Sequence, residues 1–232
     1  MIVLGLAGHA GSGKDTVADY LVERYGFVKF SFSDALYREV AEAFGLEDDS
    51  LLRQRGAKEL RDRKLALINC YETGFIDVAE DILRGDTVCS PIEQWNSPRQ
   101  ILQWWGTQYR RAQNPNYWIE ATDMWIDGIR QMFPYPELRP QYFVNTSVRF
   151  PNEREFIMSR AAPWDGNVWH IHRDAATPVA SHESETPLPV LDGERQIWNN
   201  YTIEYLHMGI DQLMSSNIPS IRIEPPEPMV EP

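Results

Sequence analysis

Residues 2–7, IVLGLA, are apolar without alternation, the pattern of a strand buried on both faces of a parallel sheet. The run breaks at GHAGSG. KDTVADYLVERY then carries helical spacing, with Val17, Tyr20, Leu21 and Tyr25 on one face and Gly26 as a stop. FVKFSF (27–32) predicts a second strand, and Ser33 or Asp34 would cap the helix that follows and ends at Gly45. Between 47 and 98 the pattern is broken. A charged segment (RQRGAKELRDRK, 53–64), an apolar-patterned stretch to about 83 and a loop through Pro98 read together as a helical insertion. Residues 99–113 predict a helix with Gly106 inside it, 116–133 an amphipathic helix, and 134–140 a turn-rich link. Strands are predicted at 141–148, 167–173 and 195–200, with helices near 152–161 and at 203–216. The polar stretch 174–195 reads as a mobile loop, and the proline- and glutamate-rich tail from 225 as disordered. No internal repeat interrupts this order.

Strands separated by helices predict an α/β fold with a central parallel sheet flanked by helices. The expected organisation is one domain over 1–224, with a helical insertion at about 46–133 and the loop at 174–195. Because the first strand runs straight into the glycine loop, that loop lies at a strand's carboxyl end, where open α/β folds bind ligands.

Charge narrows the function. The 232 residues carry a formal net charge of −12, against the basic face that a duplex-coating DNA binder needs. A nucleotide substrate needs only a local basic pocket and stays open. Cys70 and Cys89 show neither metal-ligand spacing nor a disulfide framework, which points to a reducing cytoplasm. MIVLGLAGHAGSGK lacks the basic start of a signal peptide, and no stretch reaches membrane-span length, so no membrane partner is expected.

Gly8-His9-Ala10-Gly11-Ser12-Gly13-Lys14 matches G-x-x-x-x-G-K, a phosphate-binding pattern. Glycines let successive N–H groups face one concavity, and the next helix adds its positive end. Lys14 supplies a point charge for the outer phosphates. Asp15 follows where Ser or Thr usually holds Mg²⁺. It would hold the metal, directly or through water, or serve only as a charge partner at the helix start. Thr16 is expected on a phosphate.

Other residues carry two readings each. Arg149, just past the strand at 141–148, would grip phosphate with its planar fork, or pair with Glu153 at the surface. Arg173, at the end of the next strand, would clamp phosphate as the loop closes. Arg53, Arg55, Lys58, Arg61, Arg63 and Lys64 form a basic run, mostly a solvated face, from which one or two side chains would reach an acceptor phosphate. His182 reads as a surface residue. Trp104, Trp105, Tyr109, Tyr117 and Trp118 read mostly as packing, with one available to stack on a base. Gly106 in a helix costs stability relative to Ala, so it marks either close helix packing or a ligand's approach. An acceptor pocket built from 99–118 would use Arg99 on the phosphate, with Thr107 and Trp118 near sugar or base; the alternative makes Trp118 core.

Several segments together resemble the deoxynucleoside monophosphate kinase of tailed bacteriophages. They are G-S-G-K-D-T with the helix that follows, SPRQILQWWGTQYRRAQNPNYWIEA (97–121), VRFPNE (148–153), HIHRD (170–174), HESETPLP (182–189) and IWNNYTIEYL (197–206). The likeness runs in order from about 2 to 214, while 46–96 match poorly. It implies a P-loop kinase that transfers the γ-phosphate of ATP to a deoxynucleoside monophosphate with Mg²⁺, in host cytoplasm if phage-encoded, and it leaves room for a homodimer. By matching position, Gly8, Gly11, Ser12, Gly13, Lys14, Asp15 and Thr16 hold ATP. Arg99, Gly106, Thr107 and Trp118 form the monophosphate pocket, and Arg149 contacts phosphate. Arg173 with 174–195 forms a lid, and Asn199 lies near the adenine. Ser147 stands where the family has Asp, which shifts weight onto Asp15 for the metal. The competing readings are another small-molecule P-loop kinase, resembling dephospho-coenzyme A kinase or acting on modified bases, and a nucleotide-binding switch. The switch lacks support from any N-K-x-D motif.

Overall fold

The computed structural model describes residues 1–84, 91–160, 167–174, 188–215 and 220–221. Cys89, His182, most of the expected 174–195 loop and the tail from 225 lie outside the described residues. The chain forms two compact units, Met1–Ser31 with Ile126–Pro232, and Phe32–Trp125.

The first unit is built on a sheet of order β2-β3-β1-β4-β5-β6. Its strands are β1 (Ile2–Ala7), β2 (Val28–Phe30), β3 (Tyr142–Asn145), β4 (Val168–His172), β5 (Arg195–Trp198) and the two-residue β6 (Ser220–Ile221). Every pairing is parallel: Leu4 faces Val144, Leu6 faces Trp169, and Ile171 faces Ile197. This is the expected parallel α/β sheet, and the apolar run of β1 is buried because strands flank it on both sides. Helices α1 (Lys14–Tyr25), α7 (Pro151–Ser159) and α8 (Ile203–Ser215) accompany the sheet. Val17 and Leu21 of α1 and Leu206, Ile210 and Leu213 of α8 share one core with Leu4, Val144, Trp169 and Ile197. A polar lock joins the two helices: Tyr20 and Tyr25 donate to the Asp211 carboxylate at 2.9 and 2.7 Å. Burial and that carboxylate push the Tyr25 phenol up to about 12.

The second unit contains α2 (Ser33–Ala43), α3 (Ser50–Arg53), α4 (Thr73–Leu83) and α5 (Pro98–Gln103), joined by short 3-10 turns. Helix α6 (Tyr117–Gln131) begins in this unit's sequence and ends in the other's. Phe75 lies 4.4 Å from Trp105 between ring centroids, and Tyr109 and Phe44 meet the same pair edge-on or tilted. Leu52, Leu65, Leu67 and Ile101 of the same unit are fully buried.

The structure differs from the expected elements at several points. Helix α2 starts at Ser33, one residue after Phe32. Phe32 precedes the helix with φ −58° and ψ −25°, already helical, so both polar residues fall within the first turn. The helix expected over 99–113 changes type: α5 passes into a π-helical stretch, Trp104–Arg111. Such wide turns are rare and gather at functional sites. The described residues of the broken pattern at 47–98 form α3, α4 and isolated turns, and β6 stands where no strand is expected. Among the described residues no helix is long and apolar enough to cross a membrane.

Candidate functional site

Parallel pairing places the carboxyl ends of β1, β3, β4 and β5 along one edge of the sheet. The glycine loop leaves β1 there, Arg149 follows β3, Arg173 follows β4 and Asn199 follows β5. Main-chain bonds hold this edge: Val148 N–H to Leu6 O at 3.1 Å, Thr146 N–H to Phe30 O at 3.0 Å and Asn199 N–H to His172 O at 2.7 Å.

The loop owes its shape to glycine. Gly8 and Gly13 have φ of +139° and +104°, and a Cβ at Gly8 would strike the Ile171 carbonyl, one at Gly13 the Asn199 amide. Two further features bear on ligand chemistry. Ser12 Oγ is buried and has no hydrogen-bond partner among the described residues. A buried hydroxyl left so is costly unless something completes it. The Lys14 ammonium folds back across the loop and donates to Gly8 O and His9 O, both at 2.7 Å. A concave loop at a helix N-terminus with an unmatched hydroxyl and an ammonium laid over it is suited to phosphate oxygens. Thr16 lies half-buried in the first turn of α1. Asn199 donates its side-chain amide to Ser12 O at 2.9 Å, so here it braces the loop from the β5 end. Sequence spacing gave no signal for that bond.

Asp15 is half exposed in the first turn of α1, 3.3 Å from Lys29 Nζ, and Lys29 also meets Asp19 at 2.9 Å. Burial works to lower the Lys29 pKa, but the two aspartates outweigh it and the ammonium is held above its ordinary value. Asp15 is therefore a charge partner at a helix start, and it remains a hard carboxylate oxygen beside the loop. Among the described residues no group of three or more His, Cys, Asp or Glu gathers. That donor set still fits Mg²⁺, which takes one or two carboxylates and completes its shell with phosphate and water. Ser147 shares a hydrogen bond with Ser31 Oγ at 2.5 Å, linking the ends of β3 and β2.

Arg149 is exposed. Its main-chain N–H, with that of Phe150, is donated to the buried Glu153 carboxylate at 2.8 and 3.3 Å, so Glu153 caps the start of α7. Arg173 is exposed too, flanked by a reciprocal Asp174–Asn200 pair with both bonds at 2.9 Å. Just behind this edge lies a buried charged cluster that the sequence did not announce. Glu194 meets Arg154 Nε at 2.9 Å and His170 Nε2 at 2.8 Å, and accepts the Leu191 N–H at 2.9 Å. Arg154 also donates to the Pro189 carbonyl. Burial lowers the His170 pKa, and the Glu194 carboxylate only partly offsets it.

In the second unit, Arg99 opens α5 within a Ser97–Gln100 capping box and pairs with Glu59. Thr107 is half-buried on the π-helical stretch. Trp118 is core here: it is 3% exposed and donates its indole N–H to Gly106 O at 3.1 Å. A Cβ on Gly106 would stand 3.2 Å from Leu36 Cδ2, so the glycine lets α2 pack closely here. Arg110 pairs with Glu39 and lies 4.5 and 5.0 Å from the rings of Tyr109 and Tyr117.

No family model matches the chain. It is 26% identical over 221 residues to an Acanthamoeba polyphaga mimivirus protein named "Putative deoxynucleotide monophosphate kinase", an alignment covering 90% of this chain and 94% of that one. The parallel sheet flanked by helices, with the glycine loop at the end of its first strand, is consistent with a P-loop kinase fold.

Proposed function

We propose that the protein transfers the γ-phosphate of ATP to a deoxynucleoside 5′-monophosphate, giving the diphosphate and ADP. The observation that carries the reading is the loop at Gly8–Gly13, with its unmatched Ser12 hydroxyl and the Lys14 ammonium across it. The acceptor class rests on the name of the mimiviral relative and on the order of the matching segments.

In this mechanism the loop N–H groups and Ser12 Oγ take the donor phosphates. Lys14 exchanges its two carbonyl contacts for phosphate oxygens. An acceptor phosphate oxygen forms the new bond to the γ-phosphorus while the bond to the β-bridging oxygen breaks, and the electron pair leaves on ADP. The acceptor is already an anion, so no strong base is needed, and positioning with charge neutralisation does most of the catalysis. Arg149 and Arg173 stand at strand ends flanking the loop's own strand and would meet charge developing on the transferred group. Arg99 would hold the acceptor phosphate. Asp15 would hold Mg²⁺, which supplies further neutralisation of the phosphate oxygens.

The test is an acceptor panel with γ-labelled ATP and Mg²⁺. Label is expected on at least one of the four common deoxynucleoside monophosphates. Label only on dephospho-coenzyme A or on modified nucleotides would move the assignment to another small-molecule kinase. ATP binding without any transfer would make the protein a nucleotide-binding switch.

Asp15→Asn tests the metal. It is expected to raise several-fold the Mg²⁺ concentration needed for half-maximal rate and for tight ADP binding by calorimetry. Loss of the exposed Lys29 pair alone would cost under about 1 kcal/mol of stability and leave both metal titrations in place.

A further inference from the structure

We infer that Lys58 and Tyr37 form an anion clamp for a phosphate monoester, the acceptor's phosphate in the reaction proposed above, on which this inference rests. The chain has an excess of acid, with 34 Asp and Glu against 22 Lys and Arg, and several cations of the second unit find carboxylates. Arg53 bonds Asp34 at 3.0 Å and Asp49 at 2.8 Å, Arg99 takes Glu59, and Arg110 takes Glu39. Lys58 does not. It is half-buried, its immediate neighbour Glu59 is drawn to Arg99, and its ammonium has no carboxylate among the described residues. Among the described residues its ammonium donates to the Tyr37 hydroxyl, at 3.0 Å.

That bond fixes the direction of a second donor. An ammonium can only donate, so the phenol oxygen accepts from Lys58, and the phenol's own proton has no acceptor among the described residues. The Tyr37 ring is held in place from its face by the Arg53 guanidinium, 4.4 Å from the ring centroid. An ammonium and a phenolic O–H thus sit side by side, pre-oriented, with unfilled donor capacity and a net positive charge. The ligand that matches is a compact polyanion with several acceptor oxygens, as a phosphate monoester is. The position fits the acceptor segment, because the Lys58 carbonyl accepts the Arg99 N–H at 3.0 Å, which puts the clamp beside the residue expected on the acceptor phosphate.

The experiment is calorimetric titration of wild type, Lys58→Met and Tyr37→Phe, all saturated with ADP so that the Gly8–Gly13 loop is filled. The titrants are the preferred deoxynucleoside monophosphate, its deoxynucleoside and inorganic phosphate. Both substitutions keep the packing stem or ring, and circular dichroism and ADP affinity check the fold. Lys58→Met is expected to weaken the monophosphate about 10- to 100-fold, as loss of a charged hydrogen bond does, and Tyr37→Phe about 3- to 10-fold. Deoxynucleoside binding should not move in either. Unchanged monophosphate affinity in both folded variants, with wild type active as a kinase, overturns the clamp and leaves the kinase reading standing. An equal loss for monophosphate and deoxynucleoside also overturns it, since the effect would not be on phosphate. Wild type that phosphorylates no deoxynucleoside monophosphate sinks the kinase reading instead. The clamp then stands on inorganic phosphate, bound by wild type and lost in Lys58→Met, and falls if that binding is equal.

Discussion

Lys14→Ala is expected to lower phosphoryl transfer about 100- to 1000-fold, the usual effect of removing one preorganised group from a developing anion. The fold should survive. The Lys14 ammonium donates to the Gly8 and His9 carbonyls of a surface loop, and the loop's course is set by its glycines and by Asn199. Single-turnover transfer, with melting temperature as the control, separates the two effects. A variant that turns over at the wild-type rate would remove the phosphate-loop assignment altogether. Lys14→Arg is a stricter probe. It keeps the charge but replaces a compact ammonium with a planar fork, which cannot settle into the same two-carbonyl seat, so it should recover little of the rate.

The largest loss of stability is expected from Glu194→Ala. It strips the carboxylate from a buried guanidinium, Arg154, and from buried His170, and removes an acceptor from the Leu191 N–H. Breaking a buried pair from one side costs about 3–5 kcal/mol, which in a chain of this size lowers the melting temperature on the order of 10 °C. The same cluster gives the wild type a pH dependence of definite sign. His170 is held neutral below its ordinary pKa by burial, with Glu194, Arg154 and His172 as its charged or titratable neighbours. The unfolded chain therefore binds a proton that the native chain refuses. Its contribution is complete above the ordinary imidazole range and is lost as pH falls through that range and below. Urea unfolding at a series of pH values from 8 to 5 would record that slope. A flat profile would mean that His170 titrates alike in both states.

Local chemistry decided what could be read from the chain. β1, the glycine loop and α1 are legible because an unbroken apolar run, glycine spacing and a helical stripe follow one another within 25 residues. Helices α6 and α8 are legible for the same reason, since each carries its own amphipathic stripe. The π-helical stretch was not, because a few residues at slightly wider spacing cannot be told from an ordinary helix by periodicity. The Gly106 signal was correct as to close approach, but only the structure shows that α2, through Leu36, makes it. The Glu194 cluster draws one residue each from α7, β4 and the turn before β5, and no spacing links them. The hint was His170, set between the apolar Trp169 and Ile171 in the strand Val168–His172. Lys58 was visible only as one of six basic residues in a run. What singles it out is a half-buried ammonium held by a phenol, and that pairing leaves no trace in sequence.

The sheet's connectivity sets the order in which this protein can be assembled on a ribosome. β1 is made first, but its neighbours are β3 and β4, and Ile2 must wait for Tyr142 and Gly5 for Val168. At roughly 5–20 residues per second of synthesis, the apolar Ile2–Ala7 segment remains without its sheet partners for on the order of ten seconds. The Phe32–Trp125 unit is contiguous, and its buried Leu52, Phe75 and Trp105 are all in hand well before Tyr142 is translated. The nascent chain thus passes through a stage in which its middle can be compact while its glycine loop has no strand beside it, and the loop's surroundings are complete only after β4 and β5 have been translated.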